Sequence, residues 1–275
     1  MVPGGPGLVA AGSAPNGEET DAAVWVSTDG QAWTRIEDDA QFGGPRDQRI
    51  VAVSSVGLGL VAIGEDWSGG PPVTVAWVSP DGYEWERVDD TALEDGTVNA
   101  LVAGGPGLVA AGYEWLGGDW TAAIWVSADG RTWERIEDPN LGDGQIEAVA
   151  AGGPGLVAAG YTYDSGGSGD AVIWVSIDGY TWERIDDRAL FGGPGQQEIH
   201  ALAAGREGLV AADWSGLLWV SADGYSWARV DASADFAGGT FSSLAAWEGG
   251  FVAAGSVDSG NWETDAAVWL SMPPG

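Results

Sequence analysis

Residues 146–185 read IEAVAAGGPGLVAAGYTYDSGGSGDAVIWVSIDGYTWERI, and four short runs stand out between turn residues. Ile146–Ala151 (IEAVAA), Leu156–Ala159 (LVAA), Val172–Ser176 (VIWVS) and Thr181–Ile185 (TWERI) are short and rich in Val, Ile and Trp. That length and composition belong to strands, which we label a to d. GGPG between a and b, and Asp178-Gly179 between c and d, read as tight hairpin turns that need a positive or Pro-fixed φ. Strands b and c are apolar on both faces, as expected of a sheet sandwiched between two others.

The same pattern recurs along all 275 residues. GLVAAG or a close variant begins at Gly7, Gly59, Gly107, Gly155, Gly208 and Gly250, and WVS begins at Trp25, Trp77, Trp125, Trp174 and Trp219, with WLS at Trp269. Spacings of 42 to 53 residues without any ten-residue helical pattern are those of propeller blades. The expected fold is therefore all-β: a single β-propeller domain over 1–275, with six blades of mostly four antiparallel strands. Its repeat units lie near 1–47, 48–96, 97–144, 145–196, 197–238 and 239–275. The first unit opens at strand b and the sixth closes at strand c, which predicts 22 strands and three-stranded first and last blades. Either the ring contains two incomplete blades, open at their edges to self-association, or the chain is a piece of a longer repeat array.

Between c and d the chain repeats SxDGxxW. It occurs at Ser27, Asp29, Gly30 and Trp33; at Ser79, Asp81, Gly82 and Trp85; and at Ser127, Asp129, Gly130 and Trp133. Ser176, Asp178, Gly179 and Trp182 form the fourth copy, and Ser221, Asp223, Gly224 and Trp227 the fifth. Ser and Asp hydrogen-bond to their own backbone in such a turn, Gly supplies an unusual φ, and Trp packs back on the blade. The motif resembles the Asp-box, or BNR-like, repeat of bacterial β-propellers, whose usual form is SxDxGxxW. Every copy here lacks one residue between Asp and Gly. The resemblance implies a structural turn at Asp29, Asp81, Asp129, Asp178 and Asp223, no catalytic residue, and an extracellular or cell-surface location. Arg35, Arg87, Arg135, Arg184 and Arg229 follow each box Trp by two residues. Pairing with carboxylates on a solvated edge is their expected role.

Composition narrows the function. Ten Arg, no Lys and 41 acidic residues give a formal charge of -31. Such a surface repels nucleic acid and anionic membranes, whose affinity rests on cationic side chains. No apolar run is long enough to insert in a bilayer. With no Cys and His200 as the single histidine, neither Cys-ligated zinc nor a His-pair metal site can form. Glu18, Glu19 and Asp21, or Glu94 and Asp95, offer oxygen ligands but no DxDxDG spacing. No metal and no cofactor is expected.

Variation between the repeats marks the candidate binding face. Turns a-to-b and c-to-d are nearly invariant, whereas the b-to-c loops differ. Eleven of the 17 Trp occupy repeated positions, and all the others except Trp247 fall in b-to-c segments. These are Trp67, Trp115, Trp120, Trp214 and Trp262, joined by Tyr113, Tyr161 and Tyr163. The d-to-a loops on the same face are acidic. Aromatic planes beside carboxylates suit sugar rings or cationic protein surfaces. Aligned a strands place Val51, Asn99, Glu147, His200 and Ser242 at one position that turns polar and changes identity. Asn99, Glu147 and His200 are thus further ligand-binding candidates, and Glu147 with His200 could form a general acid/base pair. A non-enzymatic binding or scaffold module is the favoured reading. The alternatives are a sialidase-like glycoside hydrolase and a ligand-free scaffold from recent repeat amplification. Sialidases need an Arg cluster for an anionic sugar, and the non-repeated Arg46, Arg49, Arg131, Arg188 and Arg206 show no matching arrangement.

Overall fold

The computed structural model describes residues 1–57, 59–163, 169–193, 195–230, 239–248, 250–260 and 263–271. Among the described residues, twenty-three strands form six antiparallel sheets of four, four, four, four, four and three strands. The fold class is the one expected, with six blades of a β-propeller. Blade 1 holds β1 (Val2–Gly4), β2 (Gly7–Asn16), β3 (Glu19–Ser27) and β4 (Thr34–Arg35). Blade 2 holds β5 (Gln48–Val56), β6 (Gly59–Asp66), β7 (Val73–Ser79) and β8 (Glu86–Val88). Blade 3 holds β9 (Gly96–Gly104), β10 (Gly107–Leu116), β11 (Asp119–Ser127) and β12 (Glu134–Arg135). Blade 4 holds β13 (Gln145–Gly152), β14 (Gly155–Tyr163), β15 (Gly169–Ser176) and β16 (Glu183–Ile185). Blade 5 holds β17 (Ile199–Gly205), β18 (Gly208–Asp213), β19 (Leu218–Ser221) and β20 (Trp227–Val230). Blade 6 holds β21 (Gly239–Trp247), β22 (Gly250–Gly260) and β23 (Glu263–Leu270).

Two compact units result, Met1–Asp119 with Ala123–Glu137 and Trp120–Ala122 with Asp138–Gly275. The first holds blades 1 to 3 apart from the start of β11, and the second holds that start with blades 4 to 6.

The last blade has three strands as expected, but the first has four. Val2, Pro3 and Gly4 pair with Val9, Leu8 and Gly7. Three residues were too few to register as an apolar run, yet the Gly5-Pro6 turn folds them back onto β2. Two four-residue helices, α1 (Asp39–Phe42) and α2 (Arg188–Phe191), also lie in d-to-a loops. The Asp187 carboxylate caps α2 by accepting from the Ala189 amide, and the helices bury Phe42 and Phe191.

The SxDGxxW turns share one geometry. Each Ser Oγ accepts from the Gly amide at 2.8 to 2.9 Å. Each Asp Oδ1 accepts from the two amides that lie two and three residues on. The Gly φ is +74 to +85° throughout, a region where a Cβ is strained. The indoles of Trp85, Trp133, Trp182 and Trp227 donate back to the carbonyl of that Gly. These amides hold all five carboxyls below the ordinary carboxylate range.

Strand c supplies the core. Trp77, Trp125, Trp174 and Trp219 are fully buried, and each indole N–H reaches a carbonyl in the loop leaving the preceding blade. The acceptors are Gln41, Ala92, Leu141 and Leu190 respectively. Loop carboxylates reinforce this stacking. Asp90 accepts from the Trp133 amide and Asp138 from the Trp182 amide.

Arg35, Arg87, Arg135 and Arg184 do not lie on a fully solvated edge, whereas Arg229 is exposed. Arg87 and Arg135 are about three-quarters buried and reach back across strand c to Asp66 and Glu114, themselves only 8 % and 6 % exposed, at 2.7 Å. Arg87 Nε also holds Asp89, and Arg135 Nη1 holds Glu137. Burial pushes the Asp66 carboxyl up, but hydrogen bonds from Ser68, Arg87 and Gln48 outweigh it and leave the pKa lowered. A carboxylate at the end of strand b thus turns an edge guard into a strap across the blade.

Replacing Trp125 with Ala should cost about 3 to 5 kcal/mol in chemical denaturation, from cavity formation and an orphaned Ala92 carbonyl. Trp115→Ala, at a site 56 % exposed, should change stability by less than about 1 kcal/mol. The five turn carboxyls titrate below their ordinary value of 3.8. Their stabilisation is therefore complete above that pH and is lost as pH falls through the lowered values. Melting followed by circular dichroism should show Tm dropping below about pH 4, with a shallower drop for Asp178→Asn.

Candidate functional site

The position that alternates in identity between repeats is structurally special in every full-length strand a. The ladder steps from Ile50↔Gly64 to Ala52↔Ile63, from Val98↔Gly112 to Ala100↔Ala111, and from Ile146↔Gly160 to Ala148↔Ala159. It does so again from Ile199↔Asp213 to Ala201↔Ala212 and from Phe241↔Gly255 to Ser243↔Ala254. Val51, Asn99, Glu147, His200 and Ser242 are therefore the extra residues of five β-bulges, a device that re-aims a side chain. The cause lies across the ladder. A Cβ on Gly64, Gly112, Gly160 or Gly255 would run into the carbonyl oxygen of Arg49, Thr97, Gln145 or Thr240. Glycine admits the close approach of the bulged strand.

Blade 5 departs from that rule. Asp213 replaces the glycine and ends β18, and its carboxylate accepts from the amides of Ser215 and Leu217 and from the Ser215 hydroxyl. Burial raises its pKa against these bonds. The whole b-to-c excursion is the shortest of the six, ten residues from Leu209 to Trp219 against 17 or 18 between the equivalent residues elsewhere, and its turn sets Trp214 on the imidazole of His200, with ring centroids 4.3 Å apart.

Around His200 the second unit assembles a compact cluster. Glu147 Oε2 lies 3.9 Å from His200 Nδ1, and Glu198 Oε2 lies 3.5 Å from His200 Nε2. Both are ion-pair distances, and the buried Nε2 has no hydrogen-bond partner among the described residues. The Tyr161 ring stands 6.1 Å from the imidazole, with its hydroxyl donating to Gln145 Oε1 at 3.0 Å. The side chains of His200, Glu147 and Glu198 keep 14 %, 20 % and 20 % of their surface exposed, while Trp214 is half exposed. The result is an aromatic platform rimmed by two carboxylates. Among the described residues no group of three or more His, Asp or Glu side chains is arranged to hold a metal ion.

Four sequence candidates thus come together: Glu147, Tyr161, His200 and Trp214. Glu198 and Gln145 join them, at positions equivalent to Arg49, Thr97 and Thr240 and two residues ahead of each bulge. Their signal was a second variable position in strand a. Trp67, Asn99, Tyr113 and Trp115 belong to the first unit. There Arg49 lies over the Trp67 ring at 5.3 Å and pairs with Glu65 at 2.7 Å. Trp120, at the start of β11, is 38 % exposed. Tyr163 is described only as the last residue of β14, and Trp262 lies outside the described residues. The acidic loops are partly committed elsewhere, since Asp90 and Asp138 clamp backbone amides.

No protein-family model matches the chain, and no curated protein matches it. Solved structures do. PorZ, an essential bacterial surface component of the type-IX secretion system of Porphyromonas gingivalis, aligns at 13 % identity over 90 % of this chain and 37 % of its own, with a TM-score of 0.59. YCF48 from Cyanidioschyzon merolae aligns at 14 % identity over 86 % of this chain and 74 % of its own, with a TM-score of 0.52. A YCF48 structure bound to D1 peptide aligns at 17 % identity over 84 % and 69 %, with a TM-score of 0.51. These similarities establish the propeller fold.

Proposed function

We propose that this chain is a non-enzymatic binding module of the Asp-box type, acting outside the cell or at its surface, and that the cluster around His200 takes a cationic side chain of a protein or peptide. The observation that carries the reading is the contrast between blades 2 and 5. In blade 2 the residue after strand b is Trp67, and the chain's own Arg49 covers it while pairing with Glu65. In blade 5 the residue after strand b is Trp214, and Glu198 occupies the position of Arg49. An aromatic face with carboxylates at its rim is kept, and the position of Arg49 carries a carboxylate in place of a guanidinium. An external guanidinium or ammonium group restores the same arrangement, attracted by the ring face and by both glutamates. The charge of -31 steers such a partner toward the surface. The peptide-bound YCF48 structure supports peptide recognition as a use of this fold.

Titration of the protein with Ac-Gly-Arg-Gly amide, followed through the indole N–H resonance of Trp214, should give a saturable shift that weakens with salt. The citrulline analogue, neutral and of the same shape, should bind at least about tenfold more weakly. Glu147→Gln combined with Glu198→Gln should abolish the preference with little change in Tm. Equal binding of both peptides would refute a cationic ligand, and a salt-independent shift produced by maltotetraose would assign the site to a glycan.

A further inference from the structure

The His200 imidazole stands between two carboxylates, one at each ring nitrogen: Glu147 Oε2 lies 3.9 Å from Nδ1 and Glu198 Oε2 lies 3.5 Å from Nε2. A neutral imidazole has one N–H and one lone pair, so it can donate to only one of them, and its other nitrogen turns a lone pair toward a negatively charged oxygen. Both separations exceed the roughly 2.7 to 3.2 Å of a formed N–H···O bond. An imidazolium has an N–H at each nitrogen and can donate to both. Trp214 completes the set, with its ring centroid 4.3 Å from that of the imidazole and the planes tilted by 47°, within reach of a cation–π contact.

Blade 2 supplies the comparison. Its internal cation is Arg49, which holds Glu65 and covers Trp67 with a guanidinium that does not give up its proton. In blade 5 the side chain that meets the Trp is an imidazole, whose charge depends on the proton. Few other titratable groups surround β17. Of the strands packed against it, β13 brings Glu147, β14 brings Tyr161 with its hydroxyl donating to Gln145, β18 brings Asp213 with its carboxylate engaged by its own turn, and β21 brings none. The acidic residue of β22, Asp258, lies opposite Thr264 in its own blade. His200 is the only histidine of the chain, so no second imidazole titrates with it.

We propose that His200 is a proton-operated gate on the cationic site: once protonated, it takes both glutamates and the Trp214 ring for itself and expels the external cation. The proposal rests on the reading of this cluster as a site for a cationic side chain. Proton and ligand compete for the same three groups, so each weakens the binding of the other by the same factor. Acidification therefore releases the ligand, and ligand binding expels a proton. Where the two exclude each other fully, affinity falls by up to about tenfold for each pH unit below the titration of the imidazole.

The test follows the full chain by nuclear magnetic resonance from about pH 8 to about pH 5, the range in which imidazoles titrate. Without peptide, two imidazole N–H protons protected from exchange with water should appear together at the acid end, and a single histidine makes their assignment unambiguous. Glu147→Ala should remove the protection of the Nδ1 proton alone, and Glu198→Ala that of the Nε2 proton alone. Affinity for Ac-Gly-Arg-Gly amide, read at the Trp214 indole N–H, should fall at least about tenfold across the range, and His200→Gln should flatten that profile. Absence of both protected protons at the acid end, or peptide affinity that does not change with pH, would overturn the gate. A fall that persists in His200→Gln would assign the pH dependence to Asp213 and its turn, and would overturn it equally. Two protected protons with no peptide binding at any pH would support the closed state and refute the cationic-ligand reading alone.

Discussion

The buried indole of strand c is the constraint from which the rest of the structure follows. An indole is large enough to dominate a core, yet its N–H must find an acceptor once water is excluded. Trp77, Trp125, Trp174 and Trp219 meet that demand with a carbonyl from the loop leaving the preceding blade. In blades 2, 3 and 5 that bond adds to apolar burial against the preceding blade. The same loops must present that carbonyl at a fixed place, so they are stiffened. Helices α1 and α2 stiffen two of them, and Asp90 and Asp138 clamp others to the following box Trp.

A scaffold held so regularly leaves few places for individuality, and strand a uses one of them. Its bulge recurs in five blades, in four of them opposite a glycine that lets the backbones close up, and the bulged side chain is freed from ladder pairing. Placing Val, Asn, Glu, His or Ser there changes the surface at little cost to the fold. Blade 5 adds a second change: Asp213 stands where glycine is the rule, and it folds the turn of a shortened b-to-c excursion around its own carboxylate. That turn delivers Trp214 to His200. The chemistry at this corner thus arises from a departure in backbone, with the side chains following.

Charge obeys the same division. Part of the acidic surplus is structural, spent on box turns, on straps such as Arg87 to Asp66 and Arg135 to Glu114, and on loop clamps. Glu147 and Glu198 are different in that they face the His200 imidazole, at 3.9 and 3.5 Å.

Period, strand order, the box turns and the division of Trp into scaffold and variable positions were legible in the residues alone, because each rests on local chemistry repeated in register. Hairpin glycines, alternating apolar runs and an Asx-type turn announce themselves within a few residues, and repetition removes the ambiguity of any single run. The short β1, the bulges, the proximity of Glu198 to His200 and the buried straps were decided by tertiary structure. Each depends on a pairing that forms only when the sheets do: Gln145 meets Tyr161, 16 residues on, and His200 meets Glu147, 53 residues back. Backbone pairing sets the register of those contacts, and a side chain's neighbours across a sheet are fixed only when the sheet has formed.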